Sequence, residues 1–150
     1  MQKRLALVPS VADTIGSTCL CLRVQRASRA IGHHFDVAFR PFGLNNWQFT
    51  LLVSIDRATP PTVNGLAEDL GMERTTTTKN LRPLERRGLL KIQRDREDAR
   101  VRRIVLTPAG RKLLSAAASQ WQTANDAIAS RFDDAQLACF RSSLDIAARV

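Results

Sequence analysis

The sequence predicts a mainly α fold that carries one small β-hairpin. Three observations predict it. Apolar residues recur at helical spacing over most of the 150-residue chain. Two short runs, 89–94 and 102–106, read instead as strands on either side of a charged loop. Gly and Pro stand where one element gives way to the next, at Pro41, Gly43, Pro60, Pro61, Gly71, Gly88 and Pro108.

Residues 1–14 carry no periodic signal and are expected to form an extended arm or frayed end. Leu20, Val24, Ala27, Ile31, Phe35 and Ala38 then form one face of an amphipathic helix that Pro41 and Gly43 end. Asn45 is placed to cap a second helix, with Gln48 completing a capping box. Trp47, Leu51, Leu52 and Ile55 give that helix its apolar face, and Thr59-Pro60-Pro61 breaks it. Thr62 caps a short helix to Leu70, Gly71 stops it, and another helix runs from about Glu73 to Arg87, where Gly88 supplies the C-terminal stop. After the hairpin, Thr107-Pro108 opens a long helix of about seven turns with Leu114, Ala117, Trp121, Ala124, Ile128 and Phe132 on one face. Asp133 and Gln136 cap a last helix striped by Leu137, Phe140, Leu144 and Ala147.

Composition bounds the function. With 44% hydrophobic and 25% charged residues the chain has the make-up of a soluble globular domain. Its apolar runs are too short to span a bilayer, and Leu5-Ala6-Leu7-Val8 is too short for a signal-peptide core, so the cytoplasm is the expected location and no membrane partner is expected. Three cysteines without an export signal argue against a disulfide framework. The motifs of serine hydrolases, phosphate loops, dinucleotide folds and zinc proteases are missing, and Cys19, Cys21, His33, His34 and Cys139 have no recognised zinc spacing. An enzyme is therefore not expected, nor a cofactor or metal.

The charge is concentrated. The net charge is +9, and residues 73–112 hold 13 Lys or Arg against five Asp or Glu, so one 40-residue segment carries nearly all of the excess. That segment covers a helix, a turn and two strands, which fits a nucleic-acid footprint better than a basic amphipathic membrane helix. The two helices joined at Leu70-Gly71-Met72, about residues 62–88, have helix-turn-helix spacing, with the small Ala67 where they cross. The second presents Arg74, Thr75, Thr76, Thr78 and Lys79 in its first turns, where a recognition helix reads base edges. Arg can bond guanine twice, and Thr offers a hydroxyl and a methyl. Four consecutive β-branched threonines are costly in a helix, which favours a contact surface over a plain solvated start. Pro83 should bend this helix beyond the reading residues. The hairpin, about 89–107, brings Arg96 and Arg100 to its tip, where an arginine can enter a narrow minor groove, Arg100 being the slightly better placed. Asp98 is a candidate to hold an arginine there by a local ion pair. The partner these residues suit is double-stranded DNA.

The stretch from Gly65-Leu66-Ala67-Glu68-Asp69-Leu70-Gly71-Met72 to Leu84-Glu85-Arg86-Arg87-Gly88-Leu89 resembles the MarR family of winged helix-turn-helix regulators. So does the wing Asp95-Arg96-Glu97-Asp98-Ala99-Arg100 with Leu106-Thr107-Pro108-Ala109-Gly110 after it. The resemblance covers about residues 17–149, and Asn80 and Pro83 depart from the family's usual residue types. It implies one domain over 1–150, with a winged unit at about 44–107 and dimerisation helices at about 15–40 and 108–149. It further implies a homodimer on a pseudo-palindromic operator, usually a repressor, released by a small molecule or by oxidation.

Two signals are open. An apolar or phenolic ligand could sit between the first two helices and the long one after the hairpin, with His34, Phe35, Trp47 and Phe49 as candidate lining; ordinary core is the commoner fate of each. Alternatively, Leu20-Cys21-Leu22 with Ser28 resembles the organic-hydroperoxide-sensing branch, which makes Cys21, and Cys19 beside it, candidate oxidant sensors. That branch bonds its thiolate with tyrosines, and this chain has no tyrosine. A free cysteine on an apolar face is more often a small core residue. At about 100° per residue, Cys19 and Cys21 would point to different sides of one helix.

Overall fold

The computed structural model describes residues 10–95, 97–98 and 100–149. The helices are α1 (Val11–Thr18), α2 (Leu20–Phe39), α3 (Asn46–Ile55), α4 (Val63–Asp69), α5 (Arg74–Arg86), α6 (Pro108–Ala129) and α7 (Asp134–Ala147). Strands β1 (Leu90–Arg94) and β2 (Arg102–Leu106) lie between α5 and α6, and a 3-10 turn, Arg40–Phe42, links α2 to α3. This is the expected class: mainly α, with one antiparallel hairpin in register from Leu90 opposite Leu106 to Arg94 opposite Arg102.

The N-terminal region corrects the sequence reading. The arm expected over 1–14 becomes a helix from Val11; residues 1–9 lie outside the described residues. The Ser10 hydroxyl accepts from the Asp13 N–H at 3.1 Å, and the Asp13 carboxylate accepts from the Ser10 N–H at 3.1 Å. This reciprocal cap starts a helix of only eight residues, too short to show a repeating stripe. The next helix starts at Leu20 rather than near 15, because Cys19 is extended (φ −65°, ψ 112°) and separates the two. Cys19 and Cys21 therefore do not share a helix: Cys19 is the N-cap of α2, its Sγ accepting from the Leu22 N–H at 3.4 Å. At the other end α6 has 22 residues, about six turns rather than seven.

The core lies in the centre of the chain. Leu51, Leu52 and Ile55 of α3 meet Leu66 of α4, Leu81 and Leu84 of α5, and Leu90 and Ile104 of the hairpin. Phe39 closes it from α2, stacked on Phe49 with ring centroids 4.1 Å apart, and Ala117 closes it from α6. Two contacts set where the long helices leave this core. The Asn46 N–H donates to Asp36 Oδ1 at 2.7 Å, fixing α3 on α2. At the start of α6 the Thr107 hydroxyl accepts from the Gly110 N–H at 3.1 Å and donates to the Gly88 carbonyl at 2.6 Å. Gly110 is forced by this approach: a Cβ there would fall 1.9 Å from the Leu89 carbonyl oxygen.

Candidate nucleic-acid interface

Thr62 starts the reading unit by accepting the Gly65 N–H at 3.0 Å, which caps α4. The turn after α4 needs a left-handed residue, and Gly71 supplies it at φ 59°. Ala67 is buried where α4 and α5 cross, so the two helices approach closely. Thr77, Leu81 and Leu84 are the buried residues of α5, and their spacing of four and three fixes which face points away from the core. Arg87 holds the far end, its guanidinium donating to the Gly43 carbonyl at 2.7 Å.

The outward face of α5 carries the residues the sequence singles out. Arg74, Thr75, Thr76 and Lys79 are exposed and Thr78 is half-buried. Arg74, Thr75, Thr78, Lys79 and Arg82 line one shallow trough along the helix, with Thr76 beside it. Arg82 is absent from the sequence reading, although its place one turn beyond Thr78 marks it as part of the same face. The threonines divide by role. Thr77 is core, its hydroxyl donating to the Glu73 carbonyl at 3.1 Å, and Thr78 donates to the Arg74 carbonyl at 2.9 Å. Thr75 and Thr76 make no such bond among the described residues. Glu73 makes no side-chain cap, so the first N–H groups of α5 also lack a side-chain acceptor at the cap. Such a helix start attracts a phosphate. Pro83 does not end the helix, which runs on to Arg86.

In the wing, Arg100 is exposed at the tip, and Arg96 lies outside the described residues. Among the described residues Asp98 makes no ion pair: its Oδ1 accepts the Arg100 backbone N–H at 2.8 Å and so shapes the turn. The ion pair of the wing, among the described residues, joins Arg103 to Asp95. Asp95 Oδ1 also accepts the Glu97 and Asp98 N–H groups at 2.9 and 3.0 Å. The Arg103 guanidinium, first, and these two amides hold the Asp95 carboxyl down to a pKa of about 2.

The ligand candidates separate. A hollow of about 480 Å³ lies between α2, α3 and α6, the three elements the sequence points to. Phe35 and Phe49 line it together with Val53, Leu114, Ala118 and Trp121, and Asn46, Thr50 and Ser54 give it a polar edge. His34 and Trp47 are not in its wall. His34 instead sets Nε2 at 3.0 Å from the Ala124 carbonyl, joining α2 to α6, and Trp47 is 52% exposed. Trp121 is the aromatic that sequence reasoning placed only in a helix stripe. Cys21 is exposed, with the Gln25 amide donating to its Sγ at 3.3 Å; Cys139 is exposed on α7. Among the described residues no cluster of His, Cys, Asp or Glu is placed to hold a metal, and no helix is long and apolar enough to cross a membrane.

The model of the MarR family matches residues 42–101, from the end of the 3-10 turn to the wing loop just before β2. Among solved structures, the M. tuberculosis transcriptional regulator MosR in complex with DNA is 34% identical, over 88% of this chain and 99% of that one, with a TM-score of 0.74. The transcriptional repressor CouR bound to a 23-mer DNA duplex is 25% identical, over 94% of this chain and 100% of that one, with a TM-score of 0.82. CouR from Rhodococcus jostii RHA1 bound to p-coumaroyl-CoA shares the fold at 23% identity, over 89% and 94% of the two chains, with a TM-score of 0.79. These similar proteins are regulators rather than enzymes. No curated protein matches the chain.

Proposed function

The chain belongs to the MarR family of DNA-binding transcriptional regulators, and on that premise we propose that it is a dimeric repressor of a pseudo-palindromic operator, released by a small apolar or phenolic ligand. The observation that carries the reading is the outward face of α5. It combines Arg74 and Lys79, two threonine hydroxyls that find no internal partner among the described residues, and a helix start without a side-chain cap, and the wing adds an exposed Arg100. Arg74 suits a guanine edge, the helix start a phosphate and Arg100 the minor groove.

A second copy is supported by the ends of the chain. Val11 and Leu20 are each 77% exposed and Ile146 is 68% exposed, although they lie on amphipathic helices. Pairing those helices would set two reading heads at a fixed distance, about one helical turn of DNA or a multiple of it. The ligand belongs to the hollow between α2, α3 and α6, whose aromatic wall of Phe35, Phe49 and Trp121 suits a flat ring. CouR, solved with p-coumaroyl-CoA, shares this fold.

The test is selection of bound duplexes from genomic fragments, followed by affinity measurement over a salt series. Two-fold related half-sites and a steep fall of affinity with salt are expected. Arg74→Ala should cost about 1–3 kcal/mol and relax preference at one base pair per half-site. Equal affinity for selected and random duplexes would sink the regulator reading.

An oxidant-sensing reading through Cys21 is favoured by one observation: the thiol is exposed, with Gln25 donating to it. Peroxide treatment of wild-type and Cys21→Ser protein separates the two. Release from DNA that survives the substitution removes Cys21 from the signal.

A further inference from the structure

Arg103 lies on β2 at the point where the hairpin meets the segment leading into α4. That segment, Thr59-Pro60-Pro61, is stiff, since each proline fixes its own φ. Its prolines have no N–H, so their carbonyls are the backbone groups through which it can be held. Both are used. The Arg103 Nη1 donates to the Pro60 carbonyl at 2.9 Å, and the Ile104 N–H donates to the Pro61 carbonyl at 2.9 Å. The other side of the same guanidinium, Nε–H, donates to Asp95 Oδ2. Asp95 is the first residue of the wing loop and accepts two loop amides on its other oxygen. Asp98, one of those amides, in turn accepts the Arg100 N–H. A continuous chain of hydrogen bonds thus runs from Pro60 in the α4 leader to the arginine at the wing tip. The guanidinium of Arg103 and the carboxylate of Asp95 are both largely covered, with 30% and 16% of their side-chain surface exposed.

We propose that Arg103 and Asp95 are positioning residues for DNA reading: together they bolt the wing to the Pro60 carbonyl, and so set where Arg100 stands relative to α5. This rests on the reading of α5 and Arg100 as DNA contacts. Holding the wing in its bound pose removes an ordering cost that a loose loop would meet on binding. The pair adds no contact to the duplex in this account. It acts through Arg100.

Asp95→Asn tests this with a sign. Asparagine keeps the acceptor for the Glu97 and Asp98 amides and loses the ion pair. If Asp95 were only a charge near DNA, its removal would tighten binding, since one repulsion of phosphate is gone. The clamp requires the opposite. Arg103→Lys supplies the second discrimination. Lysine keeps the positive charge for a phosphate but cannot reach Asp95 and Pro60 with one planar fork.

The experiment measures dissociation constants of the full chain for a duplex that the wild type selects from a random pool, and for an unselected duplex of equal length. Each single variant should bind the selected duplex about tenfold more weakly, with unselected binding nearly unchanged, and the double variant should be no worse than either single. Thermal melting and the amide spectrum of α4 and α5 report whether the fold is intact, and the Glu97 and Arg100 amides should shift while those helices do not. Asp95→Asn that binds the selected duplex as tightly as wild type or tighter overturns the proposal, as does Arg103→Lys at wild-type affinity. A wild type that selects no duplex overturns the DNA reading itself, a distinguishable failure.

Discussion

The winged centre and the helices α2 and α7 carry apolar stripes of similar regularity, yet within one chain the centre buries far more of its own. The ten residues of α3 include four buried ones, and the 13 of α5 include three. The 20 residues of α2 include one, at the end nearest the centre, and α1 and α7 include none. A stripe at helical spacing states that a face is to be covered. It does not state by what. In the centre the cover is the same chain, and a single copy already has a packed core that fixes α5 and the wing. At the ends the apolar face is left over, and the proposed second copy is what would cover it.

This difference can be broken from the centre first, where the largest effect is expected. Leu84 is fully buried between α5 and the other central elements. Leu84→Ala should cost about 2–5 kcal/mol of folding free energy in urea denaturation, by lost transfer energy plus the cavity left behind. A loss below about 1 kcal/mol would mean that the centre is less tightly packed than its burial indicates. Next is Gly110→Ala, expected to cost about 1–3 kcal/mol, because the new methyl meets the Leu89 carbonyl and α6 must shift. Its counterpart at the end of the chain is Gly16→Ala in α1, where nothing lies within 4 Å of the new methyl. In an isolated helix that change gains about 0.5–1 kcal/mol of stability. A loss at Gly16 would reveal that α1 packs closely on a partner.

The same division explains what was legible in the sequence. The central elements could be read because local and tertiary demands agree there. Asn45 with Gln48, Thr62, Gly71, Gly88 and Thr107-Pro108 each mark a boundary by a mechanism confined to a few residues, and each boundary is where the structure has it. The reading face of α5 followed from its helical period. Three features were not legible. The helix α1 is one short unit with a cap and no repeat, so periodicity missed it. The pairing of Asp95 with Arg103 spans the hairpin and needs the strand register, which nearness in sequence does not reveal. Trp121 reaches the hollow only because α6 crosses α2 and α3 at that height, and Trp47, a neighbour of Phe49 in sequence, points elsewhere. Sequence showed which residues are aromatic and not which of them converge.

From the flank, the comparison is sharpened by Leu20→Asp. Leu20 starts α2 and is exposed in the single chain, so the substitution should leave the central core and its melting unchanged. If this face meets a second copy, the charge is buried on association, and the dimer dissociation constant should rise at least about tenfold in sedimentation equilibrium. Affinity for a two-half-site operator should fall with it, while affinity for a single half-site should not. An unchanged dimer would move the proposed interface away from the start of α2.

The smallest expected effect compares two carboxylates, one from each region. Asp13 in α1 is lowered in pKa by the Ser10 hydroxyl, then by the Ser10 N–H, both neutral donors. Asp95 in the wing is lowered to about 2, first by the Arg103 guanidinium and then by two loop amides. Both are depressed from the ordinary 3.8, so each contributes stability that is fully present above that value and is lost as pH falls through its own lower one. Between pH 5 and pH 8, roughly a unit or more above the ordinary Asp value, neither group changes charge, and the wing should keep its pose. The side-chain carboxyl carbon of Asp95 itself reports this directly in an NMR titration. Its shift should stay flat from neutral pH down past 3.8 and move only as pH nears about 2. A midpoint near 3.8 would mean that Arg103 does not hold Asp95 in solution, and the link from the α4 leader to Arg100 would be broken at its first bond.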